Sequence, residues 1–140
     1  MIFERDKVLE RWSEYIGDLF ADDRPPLPTP SNDRGPPILK TEVEKAIRES
    51  QDGKAPGEDG VTTEMLKMLE EFGTEKLTDL FNEIYSTGTF PEELLESVYN
   101  PLPKVPRAIE SSDFRTISLM PHTVKIFLKV IQNRIGTKIN

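Results

Sequence analysis

A proline-rich segment near the N-terminus limits what this chain can fold into. Six of its 12 prolines fall within residues 24–37, which read RPPLPTPSNDRGPP. Proline has a fixed φ and no backbone N–H, so this segment can neither continue a helix nor join the interior of a sheet. With few apolar residues as well, it predicts an extended, semi-rigid linker over residues 21–38. The linker would separate residues 1–20 from a domain over residues 39–140.

Residues 1–20 carry the pattern of one amphipathic helix. Its apolar side chains recur at spacings of three and four, which places Val8, Leu9, Trp12, Tyr15, Ile16, Leu19 and Phe20 on one stripe. Charged and hydroxyl side chains fill the other face. We expect a helix from about Phe3 to Phe20 with this stripe buried. Trp12 would then belong to a core rather than stack on a base, and Phe20 would be the last core residue.

Residues 39–140 predict an α+β domain that is mostly helical. Periodicity, capping residues and glycine stops delimit five further helices, at about 41–50, 63–72, 74–86, 91–96 and 123–135. A Thr41–Glu44 capping box would open the first of these. Their predicted buried positions are Val43, Ala46, Ile47, Met65, Leu66, Leu69, Phe72, Leu77, Leu80, Phe81, Ile84, Tyr85, Val124, Phe127, Val130 and Ile131. The whole chain would then contain five or six helices.

One β-hairpin is predicted between the last two helices. The stretch FRTISLM, residues 114–120, alternates in character and contains β-branched residues, as half-buried strands do. Residues 98–103 include Pro101 and Pro103, which confine them to an edge strand. We therefore expect residues 98–103 to pair with residues 115–119 across a polar loop.

The glycine-rich stretch QDGKAPGEDG, residues 51–60, predicts a loop between two helices. A Walker-type phosphate cradle is excluded, because no Gly-Lys-Ser/Thr follows the glycines. We expect Gly57 and Gly60 to have positive φ, and Asp59 to cap the next helix by accepting backbone N–H bonds.

Composition narrows the function classes. The chain lacks cysteine, which excludes disulfides and thiolate metal sites, and its one histidine, His122, is expected to open the last helix. No apolar run is long enough to span a membrane, so we expect a soluble intracellular protein of the nucleus or cytoplasm.

The net charge of −7 argues against simple nucleic-acid binding. However, residues 98–140 carry seven basic and two acidic side chains, a net +5, so residues 1–97 carry −12. This asymmetry points to nucleic acid at one end only.

Three motifs resemble the reverse transcriptases of non-LTR (LINE-type) retrotransposons. They are DGKAPGEDGVTTEMLK, LFNEIYSTGTFPEELLESVYNPLPK and DFRTISLMPHTVKIFLKVIQNRI, in the order that this family has them. The helical lead-in RWSEYIGDLF is also similar to the segment before that domain. The resemblance extends over roughly residues 40–135. The sequence departs from the family's pattern at Glu58, Leu94 and Thr116, where proline, tryptophan and proline are usual.

The resemblance implies the fingers part of a reverse-transcriptase fold. In this family the catalytic carboxylates belong to the palm, which follows the fingers, and Mg²⁺ would require that palm. We therefore expect a truncated N-terminal part of an RNA-directed DNA polymerase that contributes template and nucleotide contacts, has no cofactor of its own and is inactive alone. The partner would be an RNA/DNA template-primer. The alternative is a retrotransposon-derived interaction module that binds a protein through the acidic front of the chain.

The same family carries an aromatic–x–Asp–Asp box at its metal site, and residues 20–23 read FADD. The residues before this box have helical periodicity and those after it are proline-rich, whereas a metal site needs rigidly presented carboxylates at a turn between strands. The box also precedes the fingers motifs. We therefore expect Asp22 and Asp23 to begin the linker and to hold no metal.

Five basic residues of the C-terminal third are the candidate nucleotide or nucleic-acid contacts: Lys104, Arg115, Lys125, Lys129 and Arg134. The resemblance implies that the fingers residues at Lys104 and Arg115 touch the incoming triphosphate or the template. Arginine presents a planar donor fork that suits phosphate, and lysine a point charge. For each, the alternative is an ordinary solvated surface charge. No catalytic and no metal-binding residue is predicted.

Overall fold

The structure, a computed structural model, describes residues 2–26 and 35–139, with side chains given for residues 5–26 and 35–137. The elements in chain order are α1 (Ile2–Leu19), α2 (Lys40–Glu49), α3 (Thr63–Lys67), α4 (Glu71–Thr87), α5 (Glu92–Leu95), β1 (Val98–Pro103), a 3₁₀ turn (Ser111–Asp113), β2 (Phe114–Leu119) and α6 (His122–Ile139). Within these residues the fold is α+β with six α-helices and one antiparallel two-stranded sheet, as the sequence predicts.

The chain divides into two compact units. The first contains α1, the 3₁₀ turn and the outer part of the hairpin, and the second contains α2 to α6 and the base of the hairpin. Much of the predicted linker, residues 27–34, lies outside the described residues.

The second unit has the hydrophobic core, in which α2 packs against α3, α4 and α6. Val43, Ala46 and Phe81 are completely buried, and the Phe81 and Phe127 rings meet edge to face at 5.4 Å. The predicted core positions that are buried are Val43, Ala46, Ile47, Leu66, Leu77, Phe81, Ile84, Val124, Phe127 and Val130. Leu80, Tyr85 and Ile131 pack partly buried against this core.

The end of the predicted linker is part of this core. Ile38 is buried, and the Asn82 side chain binds both of its backbone groups: Asn82 Oδ1 accepts from the Ile38 N–H at 2.7 Å, and Nδ2 donates to the Ile38 carbonyl at 2.9 Å. The predicted Thr41–Glu44 capping box is wrong. The helix begins one residue earlier, and Glu42 accepts instead from the Leu39 N–H at 2.8 Å.

Two glycines that should end helices lie inside them. Gly73 is within α4, because the predicted helix 63–72 is split into the short α3 and the start of α4. A Cβ on Gly73 would lie 2.9 Å from Leu69 Cδ2, so the bare glycine admits that leucine against the helix. This split leaves Met65, Leu69 and Phe72 exposed, contrary to prediction. Gly136 is within α6, where an interior glycine costs only about 1 kcal/mol.

Among the described residues of the first unit, none is buried. The stripe of α1 is therefore not a core: Val8, Leu9 and Leu19 are more than half exposed, and so is Phe20. Trp12 is half-buried, and its ring meets the Phe114 ring edge to face at 5.5 Å. The sequence pattern identified the helix correctly but could not show how little of the chain packs against it.

The hairpin forms between the predicted segments. Just beyond the strands, the Lys104 N–H donates to the Asp113 carbonyl at 2.7 Å. The Asp113 carboxylate accepts from the backbone N–H groups of Ile109 and Glu110 at 3.2 and 3.1 Å, which closes the loop. Most residues of β1 and half of those of β2 are exposed. Among the described helices, none is long and apolar enough to cross a membrane.

Candidate nucleic-acid interface

The hairpin presents two of the five candidate basic residues. Arg115 lies on β2 with an exposed side chain that has no hydrogen bond or ion pair among the described residues. The Lys104 ammonium donates to the Ser112 carbonyl at 3.0 Å and is otherwise exposed. Arg115 therefore keeps its whole donor fork for a ligand, and Lys104 keeps part of its donor capacity.

The last helix presents Lys125 and Lys129, which share one face because they are four residues apart. Lys125 is exposed and its side chain has no partner within the described part of the chain. Lys129 is half-buried, and its Nζ lies 3.9 Å from Glu49 Oε2, which weakens its attraction for a second anion. Of the two, Lys125 is the better candidate for a phosphate contact.

Arg134 is occupied within the protein. Its guanidinium binds Glu42 through two hydrogen bonds of 2.7 Å and donates to the carbonyls of Pro36 and Pro37 at 2.7 and 2.8 Å. It also lies over the Tyr85 ring at 5.5 Å. These contacts use four of its five N–H donors. Arg134 therefore connects α6 to the segment that precedes α2, and this makes it the weakest of the five candidates for a phosphate contact.

The pair that Arg134 forms with Glu42 also perturbs the carboxylate. Only about a fifth of the Arg134 side chain and 29% of the Glu42 side chain are exposed. Hydrogen bonds from Arg134 hold the pKa of Glu42 below its ordinary value, against a smaller opposing effect of burial. The Arg134–Glu42 pair is therefore a structural contact within the protein rather than a ligand site.

His122 opens α6, as predicted, and is buried. Its Nε2 lies 3.1 Å from the Ala55 carbonyl, which can only accept, so Nε2 donates this hydrogen bond, and Nδ1 lies 3.3 Å from the Thr63 hydroxyl, within hydrogen-bond distance. One side chain thus joins the glycine loop, α3 and α6. Apart from the single histidine beside Pro121, no sequence pattern predicts this contact.

The glycine loop follows the prediction in part. Gly60 has a φ of 70°, but Gly57 is not among the glycines with positive φ. Gly57 is required for another reason, because a Cβ there would lie 2.8 Å from the Pro121 nitrogen and 2.9 Å from the Met120 carbonyl carbon. Asp59 does not cap α3; it accepts from the Val61 N–H at 3.2 Å, and the Thr62 hydroxyl caps the helix by accepting from the Met65 N–H.

One carboxylate of the FADD box is bound within the chain. Both carboxylate oxygens of Asp22 accept hydrogen bonds from the Arg24 guanidinium, at distances of 2.7 to 3.0 Å. These bonds lower the pKa of Asp22. Within the described residues, no three or more His, Cys, Asp or Glu side chains are grouped so that they could hold a metal ion. The described residues therefore offer no such group for the Mg²⁺ that the resemblance implies for a complete enzyme.

Comparison with known proteins identifies relatives of the chain. No protein-family model matches it. It is 28% identical over 102 residues to an RNA-directed DNA polymerase from the mobile element jockey of Drosophila funebris, which covers 72% of this chain and 11% of the relative. It is 30% identical over 100 residues to a retrovirus-related Pol polyprotein from the type-1 retrotransposable element R2 of Nasonia vitripennis, which covers 71% of this chain and 9% of that protein. The chain is therefore related to the RNA-directed DNA polymerases of non-LTR retrotransposons, of whose length it spans about a tenth.

Proposed function

We propose that this chain supplies nucleic-acid and nucleotide contacts, as the fingers part, to an RNA-directed DNA polymerase. The observation that carries the proposal is its sequence relation to two retrotransposon polymerases over about seven-tenths of its length. The ligand would be an RNA/DNA template-primer or the triphosphate of an incoming nucleotide, and the contacts would be made by basic side chains rather than by a metal.

The hairpin supports this proposal through Arg115. A guanidinium that is exposed and unpaired can bind a phosphate through two parallel hydrogen bonds, and such charge-assisted bonds are the strong ones. Lys104 would add a point charge at the end of the neighbouring strand. Neither side chain has an acidic partner in the described part of the chain.

The last helix supports it through Lys125, with Lys129 as a weaker contributor because Glu49 lies near its ammonium. Binding by so few charges should be weak, since the rest of the chain carries −12 and repels the same polyanion within a Debye length of ~8–10 Å. It should also fall steeply with salt, by roughly 0.7–0.9 log units per log unit of salt for each phosphate contact.

The test is fluorescence anisotropy of a labelled RNA–DNA hybrid at several salt concentrations. Arg115→Ala should weaken binding at low salt and lower the log–log salt slope by about one contact, roughly 0.7–0.9. Arg48→Ala is the matched control, because Arg48 is also exposed and without a described side-chain partner but lies on α2, in the acidic part of the chain. If Arg115→Ala and Arg48→Ala both bind like wild type, the proposed role of Arg115 is wrong.

We further propose that this chain alone does not extend a primer, because the FADD box precedes the fingers motifs and Asp22 is held by Arg24. Primer extension on an RNA template should show no activity with Mg²⁺ or Mn²⁺. Activity that survives purification and is lost in the double variant Asp22→Asn/Asp23→Asn would refute this.

A second candidate function is protein binding through the acidic part of the chain. It is favoured by Met65, Met68 and Phe72, which are 56%, 81% and 70% exposed around the short α3. Exposed large apolar side chains this close together are typical of interaction surfaces. Absence of hybrid binding even at low salt, in a chain that circular dichroism shows to be folded, would favour this candidate over the first.

A further inference from the structure

The glycine loop is anchored on both sides of one lysine. Before it, the Gly53 N–H donates to Glu64 Oε1 at 2.6 Å, and Asp52 pairs with Lys67 at 2.7 Å. The Gly53 bond is strong enough to lower the pKa of Glu64. After it, the Ala55 carbonyl accepts from His122, and Gly57 packs against the Met120–Pro121 backbone. The residue between these anchors is Lys54.

Lys54 is exposed, and its side chain has no hydrogen bond or ion pair among the described residues. A loop of three glycines would otherwise be flexible, and fixing it costs conformational entropy. In the folded protein, the contacts of the residues beside Lys54 already offset this entropy cost. The backbone of Lys54 is therefore fixed before a ligand binds. Such preorganisation raises affinity by removing an ordering cost from binding.

The anchors bring Lys54 to the start of α6, which carries Lys125. Ala55, bonded to His122, is the residue next to Lys54, and Lys125 follows His122 by three residues, or one helical turn. Both lysines have flexible four-carbon stems and no competing described partner. The two lysines therefore lie on the two segments that the hydrogen bond between His122 and Ala55 joins.

We propose that Lys54 binds a phosphate of the nucleic acid together with Lys125, and that His122 is the positioning residue that holds the loop in place for it. The inference rests on the proposed function but adds a residue from the acidic part of the chain. The acidic side chains of the loop act against it: Asp52 is neutralised by Lys67, whereas Glu58 is exposed with no described side-chain partner. Removing the charge of Glu58 should therefore strengthen binding.

The first part of the test measures salt-dependent anisotropy of the labelled RNA–DNA hybrid with the full chain. Lys54→Ala should lower the log–log slope by roughly 0.7–0.9, and Glu58→Gln should raise the affinity at low salt. Lys76→Ala is the matched control, because it removes the same charge as Lys54→Ala from a different place: Lys76 lies on α4, with its ammonium over the Phe72 ring. If Lys54→Ala has the slope of wild type while Lys125→Ala and Arg115→Ala do not, the inference is wrong and the proposed function stands. If none of the three changes the slope, both fail.

The second part tests His122 by a double-mutant cycle. His122→Ala frees the loop, so it should remove the contribution of Lys54, and Lys54→Ala should then have little further effect on the slope. A merely structural role would leave the two effects additive, which would overturn the positioning role. Thr63→Val breaks only the Nδ1 contact and serves as the milder second variant if His122→Ala does not fold. In that case Thr63→Val should reduce the effect of Lys54→Ala, and unchanged additivity would again contradict the proposal.

Discussion

Removing Arg134 should destabilise the second unit, and the size of the effect follows from its contacts. The change is Arg134→Met, which keeps most of the apolar stem but deletes two bonds to Glu42 and two to proline carbonyls. Hydrogen bonds to charged groups contribute about 1.5–3 kcal/mol each, and breaking a fully buried pair costs about 3–5 kcal/mol. Because the two side chains remain 20% and 29% exposed, we expect about 2–3 kcal/mol.

The assay is urea unfolding followed by far-UV circular dichroism, on Arg134→Met, Glu42→Gln and the double variant. The coupling energy of this cycle should be about 1–2 kcal/mol. Lys40 and Glu71 provide the control in the same unit: their ion pair is as short, at 2.9 Å, but Glu71 is 79% exposed. The Lys40→Met/Glu71→Gln cycle should give less than about 1 kcal/mol. Equal coupling in the two cycles would refute the claim that burial makes the Arg134–Glu42 pair the stronger one.

The pH dependence of the same pair has a definite sign. The pKa of Glu42 is lowered in the folded state from its ordinary 4.5, mainly by the Arg134 hydrogen bonds. Its contribution to stability is therefore fully present above the ordinary value and is lost as pH falls through the lowered folded value. Wild type should lose more stability on acidification than Glu42→Gln. A parallel loss in both proteins would contradict this.

Three further predictions concern two glycines, one threonine and the two aspartates of the FADD box. In thermal unfolding, Gly57→Ala should destabilise the protein by about 1–3 kcal/mol, because the new Cβ would lie 2.8 Å from a backbone atom. Gly136→Ala should stabilise it by about 0.5–1 kcal/mol, because nothing lies within 4 Å of the new Cβ. The reverse order of stability would contradict the packing described. Thr116→Val should be neutral or stabilising, since the Thr116 hydroxyl is buried and has no hydrogen-bond partner among the described residues, and a clear loss of stability would show that it has one. Asp22→Asn/Asp23→Asn should leave hybrid binding unchanged or slightly stronger, because it removes negative charge and no ligand; weaker binding would give these residues a role.

The sequence predicted the helices and strands better than it predicted which side chains are buried. Helical periodicity, the Gly88 stop and the alternation in FRTISLM each depend on a few adjacent residues. The end of α4, the hairpin and the start of α6 lie where those patterns place them, whereas α4 begins three residues earlier than predicted and α6 continues past Gly136. Gly88 ends α4 in the left-handed conformation, as its lack of a Cβ allows. The stripe of α1 shows the limit: the spacing of Val8, Leu9 and Phe20 predicts an amphipathic helix, but burial depends on what packs against it.

The sequence showed which residues of the candidate site are basic, but it did not show which of them are free to bind a ligand. Arg115 and Lys125 are exposed and unpaired within the described residues, whereas Arg134 is locked to Glu42, which is 92 residues away in sequence. No local pattern shows such a partner. The same holds for His122, whose contacts with Ala55 and Thr63 span 67 and 59 residues. Long-range partners decide whether a charged residue is a ligand site or part of the structure.

The most direct test of the central claim is to locate the nucleic acid on the chain. An RNA–DNA hybrid that carries photoreactive nucleotides can be cross-linked to the full chain at low salt, and the attached peptides identified by mass spectrometry. The proposed function predicts cross-links in the peptides that contain Arg115 and Lys125, and the further inference adds the peptide of Lys54. Cross-links confined to α1 or α4, with none on the hairpin or α6, would contradict the claim that this chain contacts nucleic acid through its basic C-terminal third.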